Sequence, residues 1–111
     1  MELLILILKR LELMDEVIKK LAEAGVRGGT ILDGSGMARE LVNMSDLPFI
    51  DMLKHLLADE ENSSCKVMLF VLKEEQSAQA RQTIKKVVGN LNEPNSGIMF
   101  TIPVSYVEGL G

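Results

Sequence analysis

The chain contains 111 residues, 47% of them hydrophobic and 25% charged, a composition typical of one folded domain and not of a disordered segment. Its formal net charge of -4 argues against general affinity for nucleic acid or for anionic membranes. The single cysteine excludes an internal disulfide. The apolar run at residues 3–8 is too short to span a bilayer, and Glu2 stands where a signal peptide would have a basic residue. We therefore expect one cytoplasmic domain over residues 1–111.

The first third of the chain predicts a strand, a helix and a second strand. Residues 3–8 are continuously apolar, which is typical of a strand buried on both faces. Apolar side chains then recur at helical spacing, with acids early and lysines late, as the helix dipole prefers. They are Met14, Val17, Ile18 and Leu21. Gly25 is expected to end this helix, and a strand over residues 27–33 leads into a predicted turn at residues 34–36.

Residues 37–64 are predicted to form a polar excursion with one helix, within residues 46–58, that begins at the N-cap Asp46. Its apolar stripe comprises Phe49, Ile50, Leu53, Leu56 and Leu57, and a solvated loop at residues 60–64 is expected to follow. Because so short a helix is unstable alone, the stripe must pack on the sheet edge, a neighbouring subunit or an outside partner. One hypothesis is that the helix covers a cleft beside residues 36–39 and shifts when a ligand or partner binds.

The last part of the chain repeats the strand, helix and strand pattern. Residues 67–72 are wholly apolar and predict another strand buried on both faces. Residues 74–88 predict a helix that buries Ala80, Ile84, Val87 and Val88 and ends before Gly89. A loop over residues 90–97 then leads to a strand at residues 98–104, where Pro103 near the end favours an edge position.

This order of elements predicts an α+β fold of the ferredoxin-like βαββαβ type, with a helical insertion after the second strand. Both crossover helices should lie on one face of an antiparallel sheet, with the first and third strands in the middle. Those central strands are apolar on both faces, so the other face would expose an apolar patch larger than monomers usually show. We therefore expect that face to pack on further copies of the chain.

The predicted glycine turn is a candidate anion site. Glycines allow unusual backbone angles, and successive N–H groups at Gly34 and Gly36, with Arg39 beside them, suit a negatively charged group. The segment lacks the last glycine of G-x-G-x-x-G and the Gly-Lys-Ser/Thr of a P-loop. A glycine-rich β-turn with a solvated arginine explains the same residues without any ligand.

Four segments together resemble the PII-like signalling superfamily. The first is the apolar strand at residues 3–9, which closes with a lysine. The second is residues 21–39, where GVRGGT and GSGMAR resemble the family's G-V-x-G-x-T strand and G-F-G-R-Q turn. The third is residues 67–76, an apolar strand followed by an acidic pair and glutamine, and the fourth is GIMFTIPV at residues 97–104, similar to G-K-I-F-V-x-P-V. The resemblance covers nearly the whole chain.

The resemblance implies a homotrimer without enzymatic activity that senses a nucleotide in clefts between subunits. It also implies a loop after the second strand that signals to a membrane transporter or an enzyme. Matching the family motif residue by residue implies that the cleft is lined by Thr30, Gly36, Met37, Ala38, Arg39 and Gly97. Gly34, from the predicted glycine turn, is a further candidate ligand-binding residue.

The chain also departs from the family pattern. Ile98 stands where the family has a lysine, and the tail at residues 105–111 contains no basic residue where the family has two phosphate-binding arginines. The loop at residues 90–94 contributes an acid, and the excursion lacks the tyrosine that some members modify. Because a triphosphate requires several cations or a metal, we expect a divergent member without the usual ATP site. A nucleotide or another small anion remains the candidate effector.

A metal site and a catalytic site are weaker alternatives. Asp51 and His55 are spaced i, i+4 and could share a metal with Asp59 or Glu60, as in a trimer like the CutA proteins, but a charged pair on a solvated helix face is commoner. No Ser-His-Asp or Cys-His spacing indicates nucleophilic catalysis. Besides a regulatory sensor, an interaction module without any small ligand therefore remains open, because the family's cations are missing.

Overall fold

The computed structural model describes residues 1–42, 44 and 64–110. Its strands are β1 (Glu2–Leu8), β2 (Thr30–Ser35), β3 (Ser64–Leu72) and β4 (Gly97–Pro103). Its helices are α1 (Met14–Glu23), which follows a 3-10 turn at Leu11–Leu13, then α2 (Met37–Val42) and α3 (Glu74–Val88). The helix predicted within residues 46–58, its apolar stripe and its hypothetical movement all lie outside the described residues.

The four strands form one antiparallel sheet in the order β2-β3-β1-β4. Ile5, at the centre of β1, lies opposite Leu69 of β3 and Phe100 of β4. The predicted ferredoxin-like α+β fold is thus confirmed, with the first and third strands in the middle. Pro103 ends the edge strand β4, a position that tolerates a residue without a backbone N–H.

The hydrophobic core lies between the sheet and the helices α1 and α3. Alternate side chains of the central strands point toward these helices, as the two-residue period of a strand requires. The core side chains are Leu4, Leu6, Leu8, Met68, Phe70 and Leu72 from the sheet, with Val17, Leu21, Ala80, Ile84 and Val88 from the helices. Both long helices therefore cover the same face, as predicted, although Val87 is only half-buried at the margin of the core.

Glycines end both long helices, as predicted. Gly25 has a φ of +95°, which glycine adopts without strain. Its N–H donates to the Ala22 carbonyl at 3.1 Å, and the N–H of Val26 donates to the Leu21 carbonyl at 2.9 Å. This pair of hydrogen bonds is a Schellman motif, which satisfies carbonyls that the end of a helix leaves unpaired. Gly89 follows α3 with a φ of +82°.

The bounds of β2 and β3 differ from the prediction. β2 starts at Thr30 rather than at residue 27, and it continues through residues 34–35, which the sequence assigns to a turn. β3 starts at Ser64, which the sequence assigns to a solvated loop. These extensions support each other, because Ser35 lies opposite Ser64 in the ladder. The short helix α2 is a further element that the sequence pattern does not predict.

The face of the sheet opposite α1 and α3 is apolar, as the strand periodicity predicts. Its side chains, here called the open face, are Leu3, Ile5, Ile7, Leu32, Val67, Leu69, Val71, Ile98, Phe100 and Ile102. Those of the central strands are half-buried, whereas those of the two edge strands are between 42% and 55% exposed. Among the described residues, no helix packs on this face, which leaves its apolar side chains available to a further packing partner.

Ser77 is buried on the core side of α3 with an unpaired hydroxyl. Its exposed fraction is 0%, and its Oγ has no hydrogen-bond partner within the described ranges. Because a buried unpaired hydroxyl is unfavourable and alanine is the better helix former, we expect Ser77→Ala to raise the free energy of unfolding by about 1 kcal/mol. Urea unfolding followed by circular dichroism measures this change. The exposed Ser105→Ala control should stay within about 0.5 kcal/mol, and a destabilised Ser77→Ala protein would contradict the expectation.

Candidate functional site

Two of the predicted ligand-binding glycines have different surroundings. Gly34 lies inside β2 opposite Cys65, and a Cβ at this position would lie 2.7 Å from the Cys65 Sγ. Close packing of the two strands therefore explains this glycine. The prediction of a turn over residues 34–36 is wrong, because the first two of these residues belong to the β2–β3 ladder. Gly36 alone remains between β2 and α2.

The next predicted residues form the start of α2. Met37 is the first residue of this helix and is 78% exposed. Ala38 and Arg39 follow in the same helix, and their side chains lie outside what the structure describes. The Glu40 carboxylate accepts a hydrogen bond of 3.0 Å from the hydroxyl of the serine that ends β2. A negative charge therefore lies beside the predicted anion site and weakens its attraction for an anion.

Thr30 lies at the other end of β2 and lines a cleft of about 530 Å³. The glycine-rich loop between α1 and β2 forms one wall of this cleft. Gln76 of α3 and the tail residues Gly109 and Leu110 also line it, and no sequence pattern indicates that the tail reaches this place. Arg27 is the one charged side chain among its described lining residues. The six residues from Thr30 to the end of β2 span about 20 Å, so only an elongated ligand would reach both ends.

Gly97 opens the edge strand β4 opposite Leu8. Its φ is +140°, and a Cβ at this position would lie 2.3 Å from the carbonyl oxygen of Ile7. Any side chain would therefore force β4 away from β1. This glycine is required by the sheet whether or not a ligand touches it.

We expect Gly97→Ala to lower the free energy of unfolding by about 3 kcal/mol, from the sum of backbone strain and the collision with Ile7. Urea unfolding measures the loss. Gly28→Ala is the matched control, because a Cβ at position 28 meets no atom within 4 Å and its φ is not positive. A Gly97→Ala protein as stable as the control would show that the start of β4 shifts at little cost.

Gly36 and Gly97 lie at the same end of the sheet but on opposite edges. At this level the sheet is crossed by Asp33 of β2, Lys66 of β3, Leu8 of β1 and Gly97 of β4. Three strand spacings, about 14 Å, therefore separate the two edges. One chain alone does not bring the two glycines into a common site.

An ion pair crosses the two strands β2 and β3 near this end of the sheet. The Asp33 carboxylate accepts a hydrogen bond from Lys66 Nζ, so this lysine already has a partner. At the opposite end of the sheet, where the tail follows Pro103, the hydrogen bond from the Tyr106 hydroxyl to the Glu108 carboxylate, with a smaller effect of desolvation, raises the pKa of Tyr106 above its ordinary value. Tyr106 is 72% exposed, so it remains protonated at neutral pH without forming an acid–base pair with a buried partner.

Residues 1–42, 44 and 64–110 contain no group of three or more His, Cys, Asp and Glu side chains that could hold a metal ion. The predicted alternative ligands Asp51, His55, Asp59 and Glu60 lie outside these residues. Within the same part of the chain, no helix has the length and apolar character needed to cross a membrane.

Comparisons with known proteins agree with this topology. A solved structure described as "Crystal Structure of Arabidopsis thaliana PII bound to citrate" is similar, with a TM-score of 0.66 and 20% sequence identity over 98% of this chain and 79% of that chain. At that identity the likeness shows the fold alone. A comparison with curated protein sequences found no match. The family model described as "Nitrogen regulatory protein P-II" matches residues 1–110, a range that includes all four described strands and both long helices. By this match over nearly its whole length, the chain belongs to the nitrogen regulatory protein P-II family.

Proposed function

We propose that the chain is a cytoplasmic signalling regulator that forms a homotrimer and senses a small anionic effector in the clefts between its subunits. Proteins of the P-II family are signalling regulators and not enzymes, and they are typically trimers that bind protein partners. The partner of this chain would be a membrane transporter or an enzyme. The observation that supports the proposal most strongly is the open face, together with the placement of Gly36 and Gly97 on opposite edges of one sheet.

The open face supports the assembly. Apolar surface gains about 25 cal/mol for each Å² removed from water, so a contiguous face of this kind favours association. Ile98, Phe100 and Ile102 extend the face to the outermost strand, where a neighbouring subunit reaches them without disturbing the helices. The same apolar side chains would stay exposed in a monomer.

The two different edges support a ring of subunits rather than a twofold dimer. β2 leads to Gly36 at one edge of the sheet, and β4 begins with Gly97 at the other. A twofold axis brings like edges together, whereas a head-to-tail ring brings β4 of one subunit to β2 of the next. Three copies, the typical number in this family, close such a ring and place the two glycines on the two sides of one cleft.

The cleft residues argue against the usual ATP site. Ile98 follows Gly97 where the family has a lysine, and Glu40 adds negative charge beside Gly36. The tail that lines the Thr30 cleft contributes no basic side chain. A triphosphate would therefore meet too few cations for tight binding.

Calorimetric titration with ATP and magnesium tests this part of the proposal. We expect no saturable binding below about 1 mM, because the phosphate-binding cations of the family are missing. Glu40→Gln is the informative variant. Removing the negative charge beside Gly36 should strengthen ATP binding severalfold, without placing a charge on the open face. Low-micromolar affinity of the unsubstituted protein would contradict the proposal and would locate the phosphates at cations elsewhere.

The missing cations also favour a second candidate, an interaction module that binds its protein partner without any small ligand. Hydrogen exchange separates the two candidates. An effector sensor should show slower exchange at Gly36 and Gly97 when a small anion binds. An interaction module should show no such change with any nucleotide or small anion and a change only with the protein partner.

A further inference from the structure

A second cleft lies on the helix side of the sheet, between the C-terminal half of α3 and the edge strand β4. Its volume is about 520 Å³, within the range of small-molecule sites. Its lining includes Arg81, Lys85, Asn90, Leu91, Met99 and Thr101. We propose that this cleft binds a small organic dianion of the phosphomonoester class through Arg81 and Lys85, separately from the clefts between subunits.

Positive charge is concentrated here in a chain that is acidic as a whole. Arg81 and Lys85 are one helical turn apart, so their side chains lie on the same face of α3. None of the described residues that line the cleft is acidic. The ion pairs within the described ranges join other residues, so neither cation has a carboxylate partner there.

The helix dipole explains only part of this arrangement. Cations are favourable in the last turn of a helix, which accounts for Lys85 and its neighbour Lys86. Arg81 lies a further turn back, where that benefit has faded and the like charge of Lys85 is unfavourable. An anion bound between the two cations would attract both of them and so offset this repulsion.

Arg81 also has unused donors. Its side chain is half-buried, and its Nε donates a long hydrogen bond of 3.4 Å to the Ser77 carbonyl. A guanidinium carries five N–H donors in a planar fork that matches the oxygens of a phosphate. Its two terminal nitrogens have no hydrogen-bond partner among the described residues, so they are free to bind such a group.

Hydrogen bonds at the C-terminal end of α3 reduce its repulsion of an anion. Carbonyl oxygens at a helix C-terminus repel negative charge, but two of them near the cleft are already occupied. The Lys85 carbonyl accepts from the Gly89 N–H at 2.8 Å, and the Val88 carbonyl accepts from Arg10 Nη1 at 3.5 Å. The Asn90 Oδ1 accepts from the backbone N–H of Asn92 at 3.0 Å, which leaves the amide nitrogen of Asn90 as a donor.

The other side of the cleft suits the organic part of the ligand. Leu91 and Met99 are partly buried hydrophobic side chains packed against the core. Met99 and Thr101 belong to the helix side of β4, because they lie opposite the core residues Leu6 and Leu4 of β1. Trimerisation through the open face would therefore leave these two side chains on the other side of the sheet.

Phenyl phosphate is the probe, because it combines a dianion with a small apolar ring. In a titration followed by the backbone amide signals of the isotope-labelled protein, we expect saturable shifts at Gly89, Asn90 and Thr101. Inorganic phosphate, which lacks the ring, and phenol, which lacks the charge, should each bind at least about tenfold more weakly. Arg81→Gln should weaken phenyl phosphate binding by about tenfold or more, whereas Lys86→Gln removes the same charge outside the cleft and should leave it unchanged.

Three results would overturn the proposal. One is the absence of saturable shifts at about 10 mM phenyl phosphate, far above a useful affinity. The second is an equal loss in Arg81→Gln and Lys86→Gln, which would indicate general attraction by charge. The third is a response confined to Gly36, Met37 and Gly97, which would assign the anion to the cleft between subunits. The mass of each sample in solution is measured in parallel, so failure of this site and failure of the trimer are distinguished.

Discussion

Replacing Leu6 with aspartate is expected to prevent the chain from folding. Leu6 of β1 is 0% exposed and lies opposite Met68 and Met99 on the neighbouring strands. A carboxylate there would lie between the sheet and the helices without a cation or a hydrogen-bond donor. Burial of such a group costs several kcal/mol, a large share of the roughly 5–15 kcal/mol that stabilise a domain.

Circular dichroism and urea unfolding measure this effect, with Leu6→Met as the matched control. Methionine conserves the volume of leucine, so the control should lose less than about 1.5 kcal/mol and retain the fold. A folded, cooperatively unfolding Leu6→Asp protein would show that the carboxylate reaches water, and would contradict the position of the core between the sheet and the two long helices.

Phe100→Asp is expected to separate the proposed trimer into folded single chains. Phe100 belongs to the open face and is 42% exposed in the single chain, so an aspartate there can remain hydrated and costs a monomer little. In the proposed trimer the same carboxylate would be buried against apolar side chains of neighbouring subunits. An unpaired charge in that position should weaken association by about a thousandfold or more.

Ile31→Asp provides a closely matched control. Ile31 is 43% exposed in the other edge strand, but it lies opposite Met68 and so faces the helix side of the sheet. The two substitutions therefore change the same kind of side chain at nearly the same exposure on opposite faces. We expect the Phe100→Asp protein to sediment as a monomer and the Ile31→Asp protein to keep the mass of the unsubstituted protein. If the Phe100→Asp protein keeps the mass of the unsubstituted protein, association does not depend on the open face.

The periodicity of the sequence is informative where structure depends on neighbouring residues. The unbroken apolar runs at residues 3–8 and 67–72 predict both the central position of β1 and β3 and the open face, because each side of such a strand must be covered. Gly25 and Gly89 likewise mark the ends of α1 and α3, since positive φ at a helix end strongly favours glycine. These features follow from local chemistry.

Features that depend on residues distant in the sequence cannot be predicted from local sequence patterns in the same way. The extension of β2 through Gly34 exists because Cys65 and its neighbours pair with it, and nothing in the local sequence specifies that partner. The tail residues Gly109 and Leu110 line the Thr30 cleft after the chain has crossed from the opposite edge of the sheet. Gly97 resembles a ligand-binding glycine in sequence, yet its contact with Ile7 gives it a structural role that only the fold reveals.

For a related reason, the sequence does not show that the predicted site residues lie far apart within one chain. Glycine and threonine positions along the chain indicate which backbone segments can approach a ligand, but not which subunit supplies each segment. In the structure, Gly36 and Gly97 lie on opposite edges of one sheet, so their meeting depends on a neighbouring chain. Any effector site that includes both glycines therefore depends on the oligomeric state.

Light scattering of the unsubstituted protein, separated by size at micromolar concentration, measures that oligomeric state directly. The single chain has a mass of 12.2 kDa, and we expect a single species of about three times that mass, because a head-to-tail ring buries the open face and joins unlike edges. A species of 12.2 kDa at this concentration would contradict the trimer and remove the basis for an effector cleft between subunits.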